Sequence, residues 1–327
     1  MKTLTGIKFK RELQILTFCL VTILLSNTNV LAQKRKPASP SANQTKSITI
    51  TTEPNADIWL DDVKRGTTDE SGKIVIKPIS AGKHSLRVRA AGFKEVEQSL
   101  LPAQRGDVKI VMVKTTDEAE LAFQQAEKLQ VLSKEKSKEL YEKAISLRPK
   151  FAQAYLGLAR VLLEQSDVQG ALEAIKNARK ARPNYAEASA VEGRIYNLNE
   201  EEEEKALASY KRAIAEGKGF QPEAYTGLAL FYKEKAEAAG AEGDFENEQA
   251  HYAQSVKYFP SAISQLSGAP DAVIVYQFFG LVYEKMKKYK DAIAVYEEFL
   301  RVFPDISEAS VVRSFIVQLK KQMSEQQ

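Results

Sequence analysis

One spacing governs this chain from about residue 115 to its end. Tyr141, Ala144 and Pro149 are followed 34 residues later by Ile175, Ala178 and Pro183, and Leu162 is followed by Tyr196. Inside each period, apolar residues and alanines recur at helical intervals, so the segment reads as helix pairs repeated in series. Two antiparallel helices cannot bury their apolar faces alone, so such pairs stack on their neighbours. Small residues then mark close helix crossings, large residues fill the gaps, and proline stops the second helix. A stack of this kind offers no obvious catalytic cleft.

The pattern can be followed pair by pair. The second pair reads Tyr155, Leu158, Ala159 and Leu162, then Ala171, Ile175, Ala178 and Pro183. The last reads Tyr276, Gly280 and Tyr283, then Ala292, Tyr296, Phe299 and Pro304. The third shows Gly193, Tyr196, Ala206, Tyr210 and Ala213 with one extra residue between its helices. The fourth shows Tyr225, Leu228, Ala229 and Tyr232, then Tyr252 and Pro260, with a long loop expected over Ala236 to Asp244. The first keeps Tyr141, Ala144 and Pro149. Ser307 to Met323 form a last amphipathic helix, the expected solubilising cap. The tyrosines at helical spacing are read as core. His251 is expected to point outward, and Glu200 to Glu204 to form a solvated cap at the positive end of a helix dipole.

These residues resemble the tetratricopeptide repeat. The resemblance implies an α-solenoid over 115–327, of about five repeats plus a capping helix, whose concave face is lined by the first helices. Family members seat extended peptides or partner helices on that face. Projecting the family pattern places Gln153, Leu156, Glu187, Thr226, Gln277 and Glu284 there, together with Arg160, Arg194, Asn197 and Lys233. Arg160 and Arg194 are 34 residues apart and are expected to stack, with Asn197 and Lys233 alongside. That row is a candidate carboxylate reader, since guanidinium matches carboxylate bidentately. A mixed, solvated groove is the alternative.

Residues 47–114 change period. Ser47 to Thr52, Ile58 to Leu60, Lys73 to Lys77, His84 to Arg89, Val96 to Leu101 and Asp107 to Val113 read as short strands between turn signals, hence a small antiparallel β-sandwich. Pro54 to Asp62, Gly66-Thr67-Thr68, Ile79 to Val88 and Ala91-Gly92-Phe93 resemble a PEGA domain, with Asn55 standing where that family has Glu-Gly. Asparagine tolerates the left-handed backbone that glycine would supply. Carboxypeptidase-regulatory-like sandwiches are similar as well. Both resemblances imply an accessory surface or periplasmic module without catalytic residues. His84 and Trp59 are read as packing residues, and Asp57, Asp61 and Asp62 as turn and edge residues.

The first 46 residues differ again. A basic start, an apolar run from Ile15 to Leu25 and Val30-Leu31-Ala32 form the pattern of a signal peptide over 1–32. Bulky Phe18 before Cys19 argues against a lipid-attachment cysteine. Residues 33–46, with Lys34, Arg35, Lys36 and Lys46, read as a flexible basic linker.

The chain of 327 residues carries a formal charge of +4 and holds one Cys, Cys19, and two His. A structural zinc site of about four N/S ligands cannot be built from these residues. A His-based nucleophilic mechanism has only His84 or His251 to rest on. Motifs of the GxxxxGK[ST], GxGxxG, GxSxG and HExxH types are absent. Residues 115–327 hold 28 Lys+Arg against 33 Asp+Glu, which disfavours nucleic acid.

The sequence therefore predicts a multidomain chain, a β-sandwich followed by an all-α tetratricopeptide superhelix. No catalytic, cofactor or metal residue is assigned. The expected role is a non-enzymatic interaction scaffold of the bacterial periplasm or cell surface, with a protein or peptide partner and contacts to cell-envelope components. It would keep no stable membrane span once the signal is removed. The alternative is an envelope glycan-binding or glycan-processing protein that uses Trp59 and the acidic cluster.

Overall fold

The computed structural model describes residues 46–79, 82–101, 106–198 and 200–325, which fall in one compact unit. The expected signal, with Cys19, and the linker up to residue 45 lie outside them.

The β part has seven strands among the described residues: β1 Lys46–Thr51, β2 Asp57–Leu60, β3 Val63–Thr67, β4 Lys73–Ile79, β5 His84–Arg89, β6 Val96–Leu100 and β7 Gly106–Lys109. They form two sheets, ordered β4-β1-β7 and β3-β2-β5-β6. Alternation builds the core. Ile48 and Ile50 of β1, Ile58 and Leu60 of β2, and Leu86 and Val88 of β5 point between the sheets with Ile76, Leu100 and Val108. Asn55 takes φ 55°, the left-handed turn conformation the sequence called for. The strands are antiparallel except that β7 returns parallel to β1.

Strand β3 was not read from sequence, because Val63 is its single apolar side chain. It carries a bulge: Ile58 pairs with Gly66 and Trp59 with Lys64, so Arg65 has no cross-strand partner. A bulge bends the strand and re-aims the extra side chain.

The helical part consists of pairs: α1 Glu118–Leu129 with α2 Lys134–Leu147, α3 Ala152–Glu164 with α4 Val168–Ala181, and α5 Ala186–Tyr196 with α6 Glu203–Glu216. Next come α7 Pro222–Glu242 with α8 Phe245–Leu266, and α9 Ala272–Lys285 with α10 Tyr289–Val302. Helix α11, Ala309–Glu325, closes the end against α10. Asp117, Asp167 and Asp244 cap α1, α4 and α8 by accepting backbone N–H groups, and Pro222 starts α7.

In three of the five pairs a tyrosine of the second helix lies against a glycine of a first helix. Tyr141 faces Gly157, Tyr210 faces both Gly193 and Gly227, and Tyr296 faces Gly280. A Cβ at any of these glycines would come within 2.2 to 2.6 Å of the ring. Tyr141, Tyr210, Tyr252, Tyr276 and Tyr296 are buried, whereas Tyr155, Tyr196, Tyr225, Tyr232 and Tyr283 are half-buried rather than full core residues.

The fourth pair departs from expectation. Ala236 to Glu242 is helical rather than a loop, leaving only Gly243, at φ 82°, and Asp244 between α7 and α8. Its alanines favour helix, and the lengthened helices pack along each other. Pro260 does not stop α8. It sits on the exposed side, while Ala262 and Leu266 beyond it are buried in the core and hold the helix to Leu266.

His251 is half-buried rather than outward, its ring 6.3 Å from that of Tyr232. In the acidic run, Glu202 and Glu203 pair with Lys205 and Lys235.

Candidate functional site

The 34-residue spacing brings Arg160 of α3 and Arg194 of α5 together on the side of the array lined by first helices. Both reach Glu223, in the first turn of α7. Arg160 Nη2 donates to it at 2.8 Å, and Arg194 Nη1 stands at 4.0 Å. Glu223 raises the Arg160 pKa despite burial, with Glu187 of α5 adding to it. Asn197 Nδ2 donates to Glu234 at 2.9 Å, and Lys233 Nζ donates to Glu237 at 2.8 Å. Lys233 is buried and lies 5.7 Å from the Phe278 ring centre.

The structure thus joins Arg160 and Arg194 at one carboxylate and places Asn197 and Lys233 further along. All four have carboxylate partners on α7 itself, at Glu223, Glu234 and Glu237. Sequence reasoning missed those partners, because the family pattern weights packing positions rather than exposed glutamates.

Of the other projected residues, Leu156 belongs to the core and does not face the groove. It packs with Ala152, Ala159 and Ile175. Glu284 accepts from the Tyr296 hydroxyl. Gln153, Glu187, Thr226 and Gln277 are half-buried.

The outer face of the β3-β2-β5-β6 sheet packs on this same side. Arg89 lies on the sheet face opposite Leu86 and Val88, where solvent would be expected, yet it is only 6% exposed. Its guanidinium pairs with Glu95 of its own domain and with Glu127 of α1, and lies 4.7 Å from the Phe123 ring centre. Gln124 of α1 accepts from the Gly92 N–H at 2.9 Å and donates to the Phe93 carbonyl at 2.8 Å.

At the other end, the bulged Arg65 reaches the C-terminus of α8. Its Nη1 donates to the carbonyls of Leu266 and Ser267 at 2.6 and 2.7 Å. Those carbonyls sit at the negative end of the α8 dipole, and the Leu266 carbonyl also accepts the Ala269 N–H at 3.0 Å. Val63 joins the apolar cluster of the fourth and fifth pairs. Pro78 lies against Gly268, where a Cβ would meet its Cδ at 2.9 Å. Between these ends, Arg87 and Asp62 act electrostatically on Glu187. Burial raises the Glu187 pKa, and Arg160 and Arg87 draw it back.

Trp59 pairs across strands with Arg87 and Lys64. Arg87 and Arg89 lie 4.7 and 5.2 Å from its ring centre, so the ring that a glycan reading needs is engaged by cations. The acidic cluster is dispersed as well. Asp57 pairs with Lys64, Asp61 holds the His84 ring and the Ser85 N–H, and Asp62 stands 3.6 Å from Arg87. His84 is therefore a buried hydrogen-bonding group rather than plain packing. Arg65, Arg89, Gln124 and Glu127 were not singled out from sequence, since arginines on alternate strand positions read as an ordinary solvated face.

Two family models described as tetratricopeptide repeat match the chain, one at residues 135–195 and one at 273–306. The helical part is a tetratricopeptide-like α-solenoid. Yeast Tom70 has a similar structure, with 14% sequence identity and a TM-score of 0.50, over 64% of this chain and 41% of that one. TTC0263, a thermophilic tetratricopeptide protein of Thermus thermophilus, is 19% identical with a TM-score of 0.46, over 61% of this chain and 99% of that one. No curated protein matches the sequence. Among the described residues, no helix is long and apolar enough to cross a membrane.

Proposed function

We propose that this chain is a non-enzymatic protein-interaction scaffold, exported by a signal in residues 1–32 and working in the bacterial periplasm or at the cell surface. The basic, apolar and small-residue order of the first 32 residues supports export. The partner is a protein or peptide that docks on the side of the solenoid lined by first helices.

The observation that carries this reading is the repeat array with Arg160 and Arg194 set side by side at Glu223 on its first helices. Arg194 is 47% exposed and only loosely held by Glu223, so it is the member most open to a partner carboxylate. The β-sandwich, PEGA-like in sequence, serves as an accessory module.

Two measurements test it. Residues 1–46 fused to an alkaline phosphatase that is active only outside the cytoplasm are expected to give an active enzyme. The chain used as bait in envelope extract is expected to retain a protein that an Arg160→Ala, Arg194→Ala double variant retains at least about tenfold less, a loss of about 1.4 kcal/mol. Equal retention by the two baits would remove the groove from the reading.

A further inference from the structure

The sandwich is joined to the solenoid by two unlike ends. Near the covalent connection, Gln124 grips the backbone of Gly92 and Phe93, and Glu127 holds Arg89. Far from it, the contact consists of Arg65 on the α8 carbonyls, Val63 in an apolar recess, and Pro78 on Gly268. In between, Arg87 acts electrostatically on Glu187, more weakly than Arg160 does.

This interface is largely polar and incompletely satisfied. The Nε atoms of Arg65 and Arg87 are buried without a hydrogen-bond partner. Buried charges left partly unpaired recover little of their desolvation cost, and polar interfaces between domains of one chain resemble transient ones.

We propose that the β-sandwich is a removable cover on the inner side of the solenoid, latched by Arg65 on the end of α8, and that the surface beneath it takes a partner segment carrying arginine. The cover itself displays what that surface accepts. Leu266 and Ser267 offer two carbonyls aimed at one guanidinium, and the apolar cluster that Val63 joins takes a small apolar side chain. A partner supplying these groups on an extended segment replaces Arg65 and Val63 and lifts the sheet. The chemistry is opposite in sign to that of the Arg160 and Arg194 row. The bulge at Arg65 then acquires a role, since it aims at the solenoid a side chain that regular pairing would send elsewhere.

The proposal rests on the inner side being the partner side. A synthetic probe separates its failure from failure to capture an envelope protein. The probe is a fluorescein-labelled peptide with the sequence of Val63 to Thr68, and its control replaces the lysine and arginine by glutamate. Trp59, the single tryptophan of the chain, reports on the cover directly.

In Arg65→Ala, acrylamide quenching of Trp59 is expected to rise. The basic peptide is expected to bind about tenfold or more tighter than to the unmodified chain, because a latch that keeps the open form at one molecule in ten or fewer lowers apparent affinity by that factor. Far-UV circular dichroism checks folding, and Arg65→Lys, which keeps the charge but loses the forked contact, gives a second reading of the same effects. Unchanged quenching, equal peptide affinity with and without Arg65, or equal binding of the glutamate control would each overturn the proposal.

Discussion

At the scale of single residues, the repeat rests on the fit between a tyrosine ring and a missing side chain. Gly280 shows the constraint most clearly, since a Cβ there would lie 2.2 Å from the Tyr296 ring, and the hydroxyl of that tyrosine is held by Glu284. Gly280→Ala adds about 1 kcal/mol of helix propensity but forces overpacking that costs about 1–3 kcal/mol. The net expectation is destabilisation by about 1–2 kcal/mol, read as a lower urea midpoint; a higher midpoint would mean that the ring moves freely. This pairing was legible in the sequence as small and large residues at fixed offsets. The partners of the polar residues were not. Arg160 and Arg194 were placed correctly as neighbours by the 34-residue period, but nothing in that period specifies Glu223 as the carboxylate between them.

At the scale of elements, the structure departs from the repeat's usual punctuation at Pro260 and at residues 236–242. Proline ends helices when the residues after it have nothing to pack against. Beyond Pro260, Ala262 and Leu266 enter the core, so tertiary packing overrides the local preference. The proline ring faces solvent, and its missing N–H leaves one helical bond unmade. Pro260→Ala is expected to restore that bond and stabilise the chain by roughly 1–3 kcal/mol. Thermal unfolding checks this, and a lower midpoint would show that the array needs the bend. The lengthened α7 and α8 were hidden because glycine and acidic residues near 240–244 look like a loop, whereas the alanines among them propagate helix. Strand β3 was hidden because it faces the solenoid through an arginine and a valine rather than its own sheet core.

At the scale of the whole molecule, both parts were legible in the sequence but their contact was not. Contact between distant segments leaves no period to read, and Arg87 and Arg89 look like any solvated strand face until the solenoid is placed over them. The contact has a pH signature. Burial raises the Glu187 pKa above its ordinary value of 4.5, so the folded chain binds this proton more tightly than the unfolded chain does. Its contribution to stability is full below 4.5 and is lost as pH rises through the raised folded value. Asp69, Asp117 and Asp244, whose pKa values are lowered by hydrogen bonds, act in the opposite sense at more acidic pH. Denaturant midpoints measured from pH 4.5 upward are expected to fall less steeply in Glu187→Gln than in the unmodified chain; identical slopes would place the carboxylate in water. The latch also has a consequence in time. Arg65 and Ser267 are 202 residues apart. At synthesis rates of roughly 5–20 residues per second, the carbonyls that receive Arg65 appear some 10–40 s after the arginine itself. For that interval the early repeats emerge with the sandwich fastened only at its Gln124 and Glu127 end. A young chain is thus receptive before an old one, and what it meets first competes with its own closure.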